Sequence, residues 1–322
     1  LLWYYMYEPS CNSSQFLWEQ IIPILPLSAI TFTYLTLTFL AAEFLTRQAF
    51  PHHPQIWHWL SRKQVTSNTL VKQIGMGYVM FCVDLGYIAL FYLTALQIPG
   101  VWSPSFNLLD PNFIASYVPF FSPFSTSLHA GIWEEFLFRA IPIAAAAIIG
   151  RKYKRERLFI GIALVMQAFI FGVAHANYPQ QPFFIRVIEL SIPFFFWGLA
   201  YIHFGLLPCI VSHYVYDMFV MSESLFFIQS PNIWVQQVGA AICLALPVIL
   251  ILALRCYHQG LWKWHTLPAS ERNDHWEKAT QKGKDTPSMV RKTELLSRPA
   301  LLLLTATALL GLGTILSFKQ DS

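Results

Sequence analysis

The sequence predicts an all-α, polytopic integral membrane protein, and three observations support this fold class. Of its 322 residues, 55% are hydrophobic and only 12% are charged. The mean hydropathy is +0.47, which is typical of a membrane protein and not of a soluble domain. Apolar runs long enough to cross a bilayer as helices recur along the chain. We expect eight such spans, at about 21–45, 74–98, 124–149, 158–178, 184–204, 206–228, 233–256 and 299–318.

The predicted spans divide the chain into four parts. The first span is too long for a signal-peptide core and lacks a basic flank, so we expect a permanent helix. The proline-rich segment 99–123 contains no Lys or Arg and is predicted to be an outer loop. The predicted parts are an N-terminal segment with one span, a helical core, a polar cytoplasmic linker and a C-terminal span, at residues 1–73, 74–256, 257–298 and 299–322.

Basic residues predict the orientation of the protein in the membrane. The chain has 21 Lys and Arg residues. All but Arg139, Arg186 and Lys319 lie in or beside the loops that follow the first, third and seventh spans. By the positive-inside rule these loops are cytoplasmic, and we expect a protein of the bacterial inner (cytoplasmic) membrane. The net charge of +4 is modest, and the basic residues lie mainly in loops between apolar runs. This pattern indicates a lipid bilayer as the partner and no nucleic acid.

The third predicted span contains an unusual polar stretch, Gly131-Ile-Trp-Glu-Glu-Phe-Leu-Phe-Arg139. Two adjacent carboxylates and a guanidinium at this depth are expensive, and helix packing does not require them. Glu135 and Arg139 are four residues apart, so they share a helix face and can neutralise each other. Glu134 points about 100° away and has no partner at helical spacing. The spacing therefore indicates that Glu135 and Arg139 are structural, whereas Glu134 is available for chemistry.

Further polar residues occur in the later spans. The fourth span ends with His175, and the sixth contains His213 and Asp217 on one helix face. A carboxylate, two imidazoles and a second acid suit water-mediated peptide hydrolysis, with Glu134 as the general base. In that interpretation His175 or His213 orients the water, and His213 with Asp217 stabilises the oxyanion or donates a proton.

Other interpretations of these residues remain open. Glu134, His175 and His213 could form a His₂Glu zinc site, although no H-E-x-x-H motif is present. We expect no cofactor and keep zinc as the alternative. The five cysteines are scattered without a C-x-x-C pair, which predicts neither a disulfide framework nor a thiolate metal site. A purely structural charge network and a proton-coupled transporter are further alternatives, the latter motivated by Asp84 and by Arg186 with Glu189. Asp84, His203 and Glu223 look isolated in the sequence.

These motifs resemble those of the CAAX prenyl protease and bacteriocin-processing family, the glutamic-type intramembrane endopeptidases also called the abortive-infection or CPBP family. The family motifs E-E-x-x-x-R, F-x-x-x-H and H-x-x-x-N/D are matched, in this order, by three sets of residues. These are Glu134, Glu135 and Arg139; Phe171 and His175; and His213 and Asp217. The resemblance covers roughly residues 74–256, which would form a CPBP-like protease core.

The resemblance implies a membrane protease in which Glu134 activates water, His175 helps to hold it, and His213 with Asp217 stabilises the oxyanion. Asp217 stands where prenyl-protein-cleaving members commonly have Asn, which places a carboxylate beside the oxyanion. The expected substrate is a membrane protein or peptide, and the oligomeric state is left open. The competing hypothesis is a non-proteolytic scaffold or partner-binding subunit that keeps the family fold, motivated by the linker and the plain last span.

Overall fold

A computed structural model describes residues 12–18, 22–103, 118–258, 261–262 and 264–275 of the chain. Within these residues the chain is helical and contains no β-strand, which confirms the all-α fold class. The predicted last span, 299–318, lies outside the described residues. The nine main helices of the described residues are α1 Ile24–Ala49, α2 Asn68–Ala95, α3 Phe121–Glu134, α4 Ile141–Lys152, α5 Glu156–Ala174, α6 Phe184–Phe204, α7 Leu207–Ser222, α8 Ile233–Leu244 and α9 Leu246–Tyr257.

Shorter helical pieces complete the described structure. Single helical turns occur at Ser13–Phe16 and Arg62–Val65, and a π-helical segment covers Glu135–Ala140. The remaining 3₁₀ turns are Ile56–His58, Glu223–Phe226 and Ala269–Glu271.

The described helices confirm a membrane protein but not the predicted count of eight spans. Four of the helices that the structure describes, α1, α2, α5 and α6, are long and apolar enough to cross a membrane. A fifth span exists if α8 and α9 are counted together, although they meet at a bend of 64°. Helix α7 has only 16 residues and most of them are buried, so it belongs to the interior of the bundle.

The third predicted span forms one helical rod interrupted by a π segment. Helices α3 and α4 flank Glu135–Ala140, and the junction residues Glu134 and Ala140 keep right-handed helical dihedral angles. A π turn accommodates one extra residue per turn and widens the helix locally, and such turns are frequent at functional sites. Here the widened turn contains Glu135 and Arg139, the two residues predicted to form an ion pair.

Helix α7 lies at the centre of the bundle. It packs against α2, α3 and α6, while α5 joins α4 to α6 and α1 covers α4.

Two glycines allow the backbones to approach closely near the polar residues. A Cβ atom at Gly131 would lie 3.1 Å from the backbone nitrogen of Tyr214, and one at Gly172 would lie 2.6 Å from the carbonyl oxygen of Val187. The close approach of α3 to α7 at Gly131 lies one helical turn before Glu134. That of α5 to α6 at Gly172 lies one helical turn before His175.

Part of the predicted polar linker packs against the loop between α1 and α2. Glu271 and Asn273 are 5% and 1% exposed. The Asn273 side chain donates to the carbonyl oxygen of Phe50 at 3.0 Å, just after the end of α1. The backbone N–H of Gln55 donates to the carbonyl oxygen of Glu271 at 3.0 Å. These contacts secure the segment 264–275 to one end of the bundle.

Candidate active site

The structure brings together the four residues predicted to be catalytic. Glu134 ends α3, His175 directly follows α5, and His213 and Asp217 are one turn apart on α7. From the predicted span boundaries these side chains would spread over 10–15 Å along the membrane normal. In the folded chain the observed separations that link them are 3.5–3.9 Å. The close approach of α3 to α7 at Gly131 accounts for much of this convergence.

Glu134 faces both histidines. Its Oε2 atom lies 3.9 Å from Nε2 of His175 and 3.7 Å from Nε2 of His213. That oxygen is buried and makes no hydrogen bond to another protein group. Separations of 3.7–3.9 Å are too long for direct hydrogen bonds, but they suit a water molecule that bridges the three groups.

The hydrogen bonds on the far side of each ring assign the histidine tautomers. Nδ1 of His175 lies 2.9 Å from the carbonyl oxygen of Phe171, which can only accept, so Nδ1 carries the proton. Nδ1 of His213 lies 2.8 Å from Oε1 of Glu135, a carboxylate that also pairs with Arg139. In the neutral rings both Nε2 atoms are therefore acceptors directed at the position between them and Glu134.

The predicted ion pair between Glu135 and Arg139 is present and fully buried. A guanidinium nitrogen of Arg139 contacts Oε2 of Glu135, and neither side chain is exposed to solvent. The other oxygen of Glu135 accepts from His213, so this carboxylate links the ion pair to the site. We call the buried pair of Glu135 and Arg139 the brace. The sequence did not predict the contact between Glu135 and His213. Its two residues lie on separate helices, α7 and the π segment, and no periodic spacing relates them.

Aromatic rings enclose the polar groups. The Phe171 ring lies 4.3 Å from the His175 ring, which accounts for the phenylalanine of the F-x-x-x-H motif. Phe171, Phe194 and Trp197 meet the His213 ring edge-on at 5.6–6.1 Å. The Arg139 guanidinium lies 4.5 Å from the Phe194 ring centroid. These rings fix the orientation of His213 and exclude water from the brace.

Exposure divides the site into a reachable part and a sealed part. The side chains of Glu134, His175 and Asp217 are 15%, 19% and 18% exposed. Those of Glu135 and Arg139 are completely buried. Glu134, His175 and Asp217 are therefore within reach of water, while Glu135 and Arg139 are sealed off.

Three other intramembrane charged residues, Arg186, Glu189 and Asp84, have partners of their own. Arg186 donates to Glu189 at 2.6 Å, as the spacing predicts, and Tyr92 of α2 contacts the same carboxylate. Asp84 is not isolated, contrary to the interpretation of the sequence, because the indole N–H of Trp197 donates to it at 2.9 Å. The sequence could not show this contact, since its residues lie on α2 and α6.

A metal ion was the main alternative for this site. Among the residues that the structure describes, no group of three or more His, Cys, Asp or Glu side chains has the arrangement needed to hold one. Glu134, His175 and His213 are close enough to bind one water molecule jointly, as described above.

The site thus combines a buried glutamate, two histidines and an arginine that is ion-paired with a second glutamate, inside a bundle of apolar helices. Residues 117–219 match the family model described as Type II CAAX prenyl endopeptidase Rce1-like, which confirms the family predicted from the motifs. The match covers less than half of the chain but includes all seven candidate site residues. No curated protein and no solved structure matches the chain.

Proposed function

We propose that this protein is an intramembrane endopeptidase that hydrolyses a peptide bond of a membrane-associated protein or peptide with a water molecule activated by Glu134. One observation carries the proposal. The buried Oε2 atom of Glu134 has no hydrogen bond and faces the Nε2 atoms of His175 and His213. The family match at residues 117–219 supports a protease of the CAAX type.

In the proposed reaction Glu134 removes a proton from the water, and the resulting hydroxide attacks the carbonyl carbon of the scissile bond. His175 accepts the second water proton in a hydrogen bond and so orients the nucleophile. The C–N bond then breaks, and the proton held by Glu134 passes to the departing nitrogen. The products are a carboxylic acid and an amine, which become a carboxylate and an ammonium group when the acid proton passes to the amine, and Glu134 returns to its ionised starting form.

The oxyanion needs a hydrogen-bond donor, and the geometry restricts which group can supply it. Nε2 of a neutral His213 is an acceptor, because Nδ1 donates to Glu135. Asp217 Oδ2 lies 3.5 Å from this Nε2 atom. The donor in this proposal is a proton held by Asp217 or added to His213. Such a donor directed at the developing charge would lower the barrier to attack.

The decisive experiment compares Glu134→Gln with wild type in liposomes that contain a membrane-embedded reporter peptide. We expect cleavage to fall by about 10²–10⁴-fold, because the general base is lost. Glu43→Gln is the matched control. It also removes a buried carboxylate from a spanning helix, but Glu43 pairs with Arg47 in α1, away from the site. Equal cleavage by Glu134→Gln and wild type would refute the mechanism.

We propose that the reaction uses no metal cofactor. The support is that no group of three or more His, Cys, Asp or Glu side chains among the described residues is arranged to hold an ion, and that Glu134, His175 and His213 can bind a water molecule without one. The test is cleavage in the presence of a chelator together with elemental analysis of the purified protein. One tightly bound zinc per chain, lost in His175→Ala, would overturn this proposal.

We propose a substrate that is exported or anchored at the outer face. The positive-inside rule predicts that the basic loops are cytoplasmic, and His175 follows the end of α5 that lies opposite to its basic start at Arg155. The basic segments meet at one end of the bundle. Arg151 donates to the carbonyl oxygen of Gln48 at 2.8 Å, and Arg255 donates to that of Val65 at 3.0 Å. A cysteine introduced as Lys154→Cys should react with an impermeant maleimide only after the cells are lysed. Labelling of intact cells would reverse the orientation and favour a substrate at the cytoplasmic face.

A further inference from the structure

One buried acid close to the candidate site has no part in the mechanism above. Asp84 lies in the middle of α2, and only 7% of the residue is exposed. Helix α2 precedes residues 117–219 and so lies outside the part of the chain that matches the family. A carboxylate inside a membrane bundle is costly, and such residues are usually kept for a specific contact.

Asp84 connects three helices through one oxygen atom. Its Oδ2 atom accepts the indole N–H of Trp197 from α6 at 2.9 Å. The hydroxyl of Ser212 from α7 lies 3.4 Å from the same oxygen. A buried indole N–H needs an acceptor, and Asp84 is the acceptor that Trp197 has here.

Both groups held by Asp84 contact the candidate site. The Trp197 ring centroid lies 5.1 Å from the guanidinium carbon of Arg139 and 5.6 Å from the centre of the His213 ring. Ser212 directly precedes His213 on α7. Trp197 therefore touches the cation of the brace and one catalytic candidate at the same time. Rotation of the indole would disturb both contacts.

We infer that Asp84 is a positioning residue of the active site, which acts through Trp197 and Ser212 to fix Arg139 and His213. The inference rests on the proposed function and extends the site to a helix outside the family match. Asp84 does not touch the reacting atoms. Its role is to provide the hydrogen-bond acceptor that holds the Trp197 ring against both groups.

The experiment compares two substitutions of similar size. Asp84→Asn keeps a side-chain oxygen for the Trp197 N–H, and we expect its kcat to stay within about threefold of wild type. Asp84→Leu removes the acceptor, and we expect kcat to fall about tenfold or more with little change in KM, because catalytic geometry is disturbed and substrate contacts are not. Rescue by Asn is the signature of a hydrogen-bonded positioning role.

A second pair of variants tests whether Asp84 acts through Trp197. Trp197→Phe removes the N–H and should lower kcat to a similar extent as Asp84→Leu. In the Trp197→Phe background, Asp84→Leu should have little further effect, because the main interaction is already lost and only the longer contact to Ser212 at 3.4 Å remains. Independent, multiplicative losses would overturn the inference.

Tyr201→Phe is the matched control. It removes another buried hydrogen bond between helices, from Tyr201 to Thr46 at 2.7 Å, whose ring neighbours are Phe50 and His53. We expect lower thermal stability and an unchanged kcat per folded enzyme. If Asp84→Leu behaves like this control, or if Asp84→Asn loses as much kcat as Asp84→Leu, the positioning role is refuted. Glu134→Gln is measured beside them, and cleavage by this variant at the wild-type rate would refute the proposed function itself.

Discussion

Two buried polar clusters at different places in the molecule are built in opposite ways. The Glu271 cluster, formed by Glu271 with Ser61 and His58, has direct hydrogen bonds of 2.9 and 3.1 Å to the Glu271 carboxylate. In the candidate active site, Glu134 lies 3.7 and 3.9 Å from its nearest partners and its buried oxygen makes no hydrogen bond. Polar groups that satisfy one another stabilise the fold. Groups held just beyond hydrogen-bond distance leave room for a substrate or for water.

The brace of the active site resembles the Glu271 cluster, because its groups pair directly, and it supports Glu134 and the histidines, which do not pair directly with one another. Glu135 contacts Arg139 through one oxygen and accepts from His213 through the other. A pair whose charges are in direct contact therefore orients a site in which the buried oxygen of Glu134 makes no hydrogen bond. The comparison therefore separates residues whose loss should reduce stability from residues whose loss should reduce activity alone. The substitutions below test this separation, from the largest expected effect to the smallest.

Removal of the brace should reduce both the stability and the activity of the protein. Arg139→Ala leaves Glu135 buried without its counter-charge, and breaking a buried pair from one side costs about 3–5 kcal/mol. We expect a lower yield, a lower melting temperature in detergent and reduced reporter cleavage. Arg139→Lys should restore part of each, because it keeps the charge but loses the planar guanidinium. A fully stable and active Arg139→Ala would show that the pair does not brace the site.

Acidification should weaken the end of the bundle near the Glu271 cluster. Burial lowers the pKa of His53 to about 4, and His53 donates a hydrogen bond to the carbonyl oxygen of Ile202 at 2.9 Å. The unfolded chain therefore binds a proton at higher pH than the folded chain does. Stability is complete above about pH 6.5 and falls as the pH decreases towards 4, by up to about 3 kcal/mol.

The measurement for His53 is the melting temperature in detergent between pH 4 and 8, for wild type and His53→Gln. The variant has no titrating ring at this position, so its stability should fall less steeply across that range. Parallel curves for the two proteins would show that His53 does not contribute to the acid sensitivity.

Most of the fold and site could be predicted because the signals are local. Long apolar runs indicated the helices, and the four-residue spacing indicated the pair of Glu135 and Arg139. The contacts that required tertiary structure could not be predicted. The bond from His213 to Glu135 and that from Trp197 to Asp84 join distant parts of the chain. The number of membrane spans could not be predicted from the sequence either. Hydropathy does not distinguish a short buried helix such as α7 from one that crosses the membrane.

Substitution in the Glu271 cluster should reduce stability and leave the chemistry unchanged. Glu271→Ala removes the acceptor of the bonds from Ser61 and His58, at a cost of about 1–3 kcal/mol. Glu271→Gln keeps one acceptor oxygen and should cost less. The measurement is urea denaturation or thermal melting beside kcat per folded enzyme. A loss of kcat with unchanged stability would contradict the division between the two clusters.

The smallest expected effect concerns Asp217, the residue that departs from the common Asn. In the proposed mechanism the donor to the oxyanion in wild type is a proton held by Asp217 or His213, and such a donor is lost once it deprotonates at higher pH. Asp217→Asn supplies amide N–H donors at every pH and removes a carboxylate that would repel the oxyanion. We expect cleavage to increase about threefold at neutral pH, with a larger ratio of variant to wild type at alkaline pH and a smaller one at acidic pH. The measurement is the pH profile of kcat from pH 6 to 9, with Asp217→Ala as the control that lacks any donor. If Asp217→Asn is no more active than Asp217→Ala at every pH, Asp217 does not serve the oxyanion.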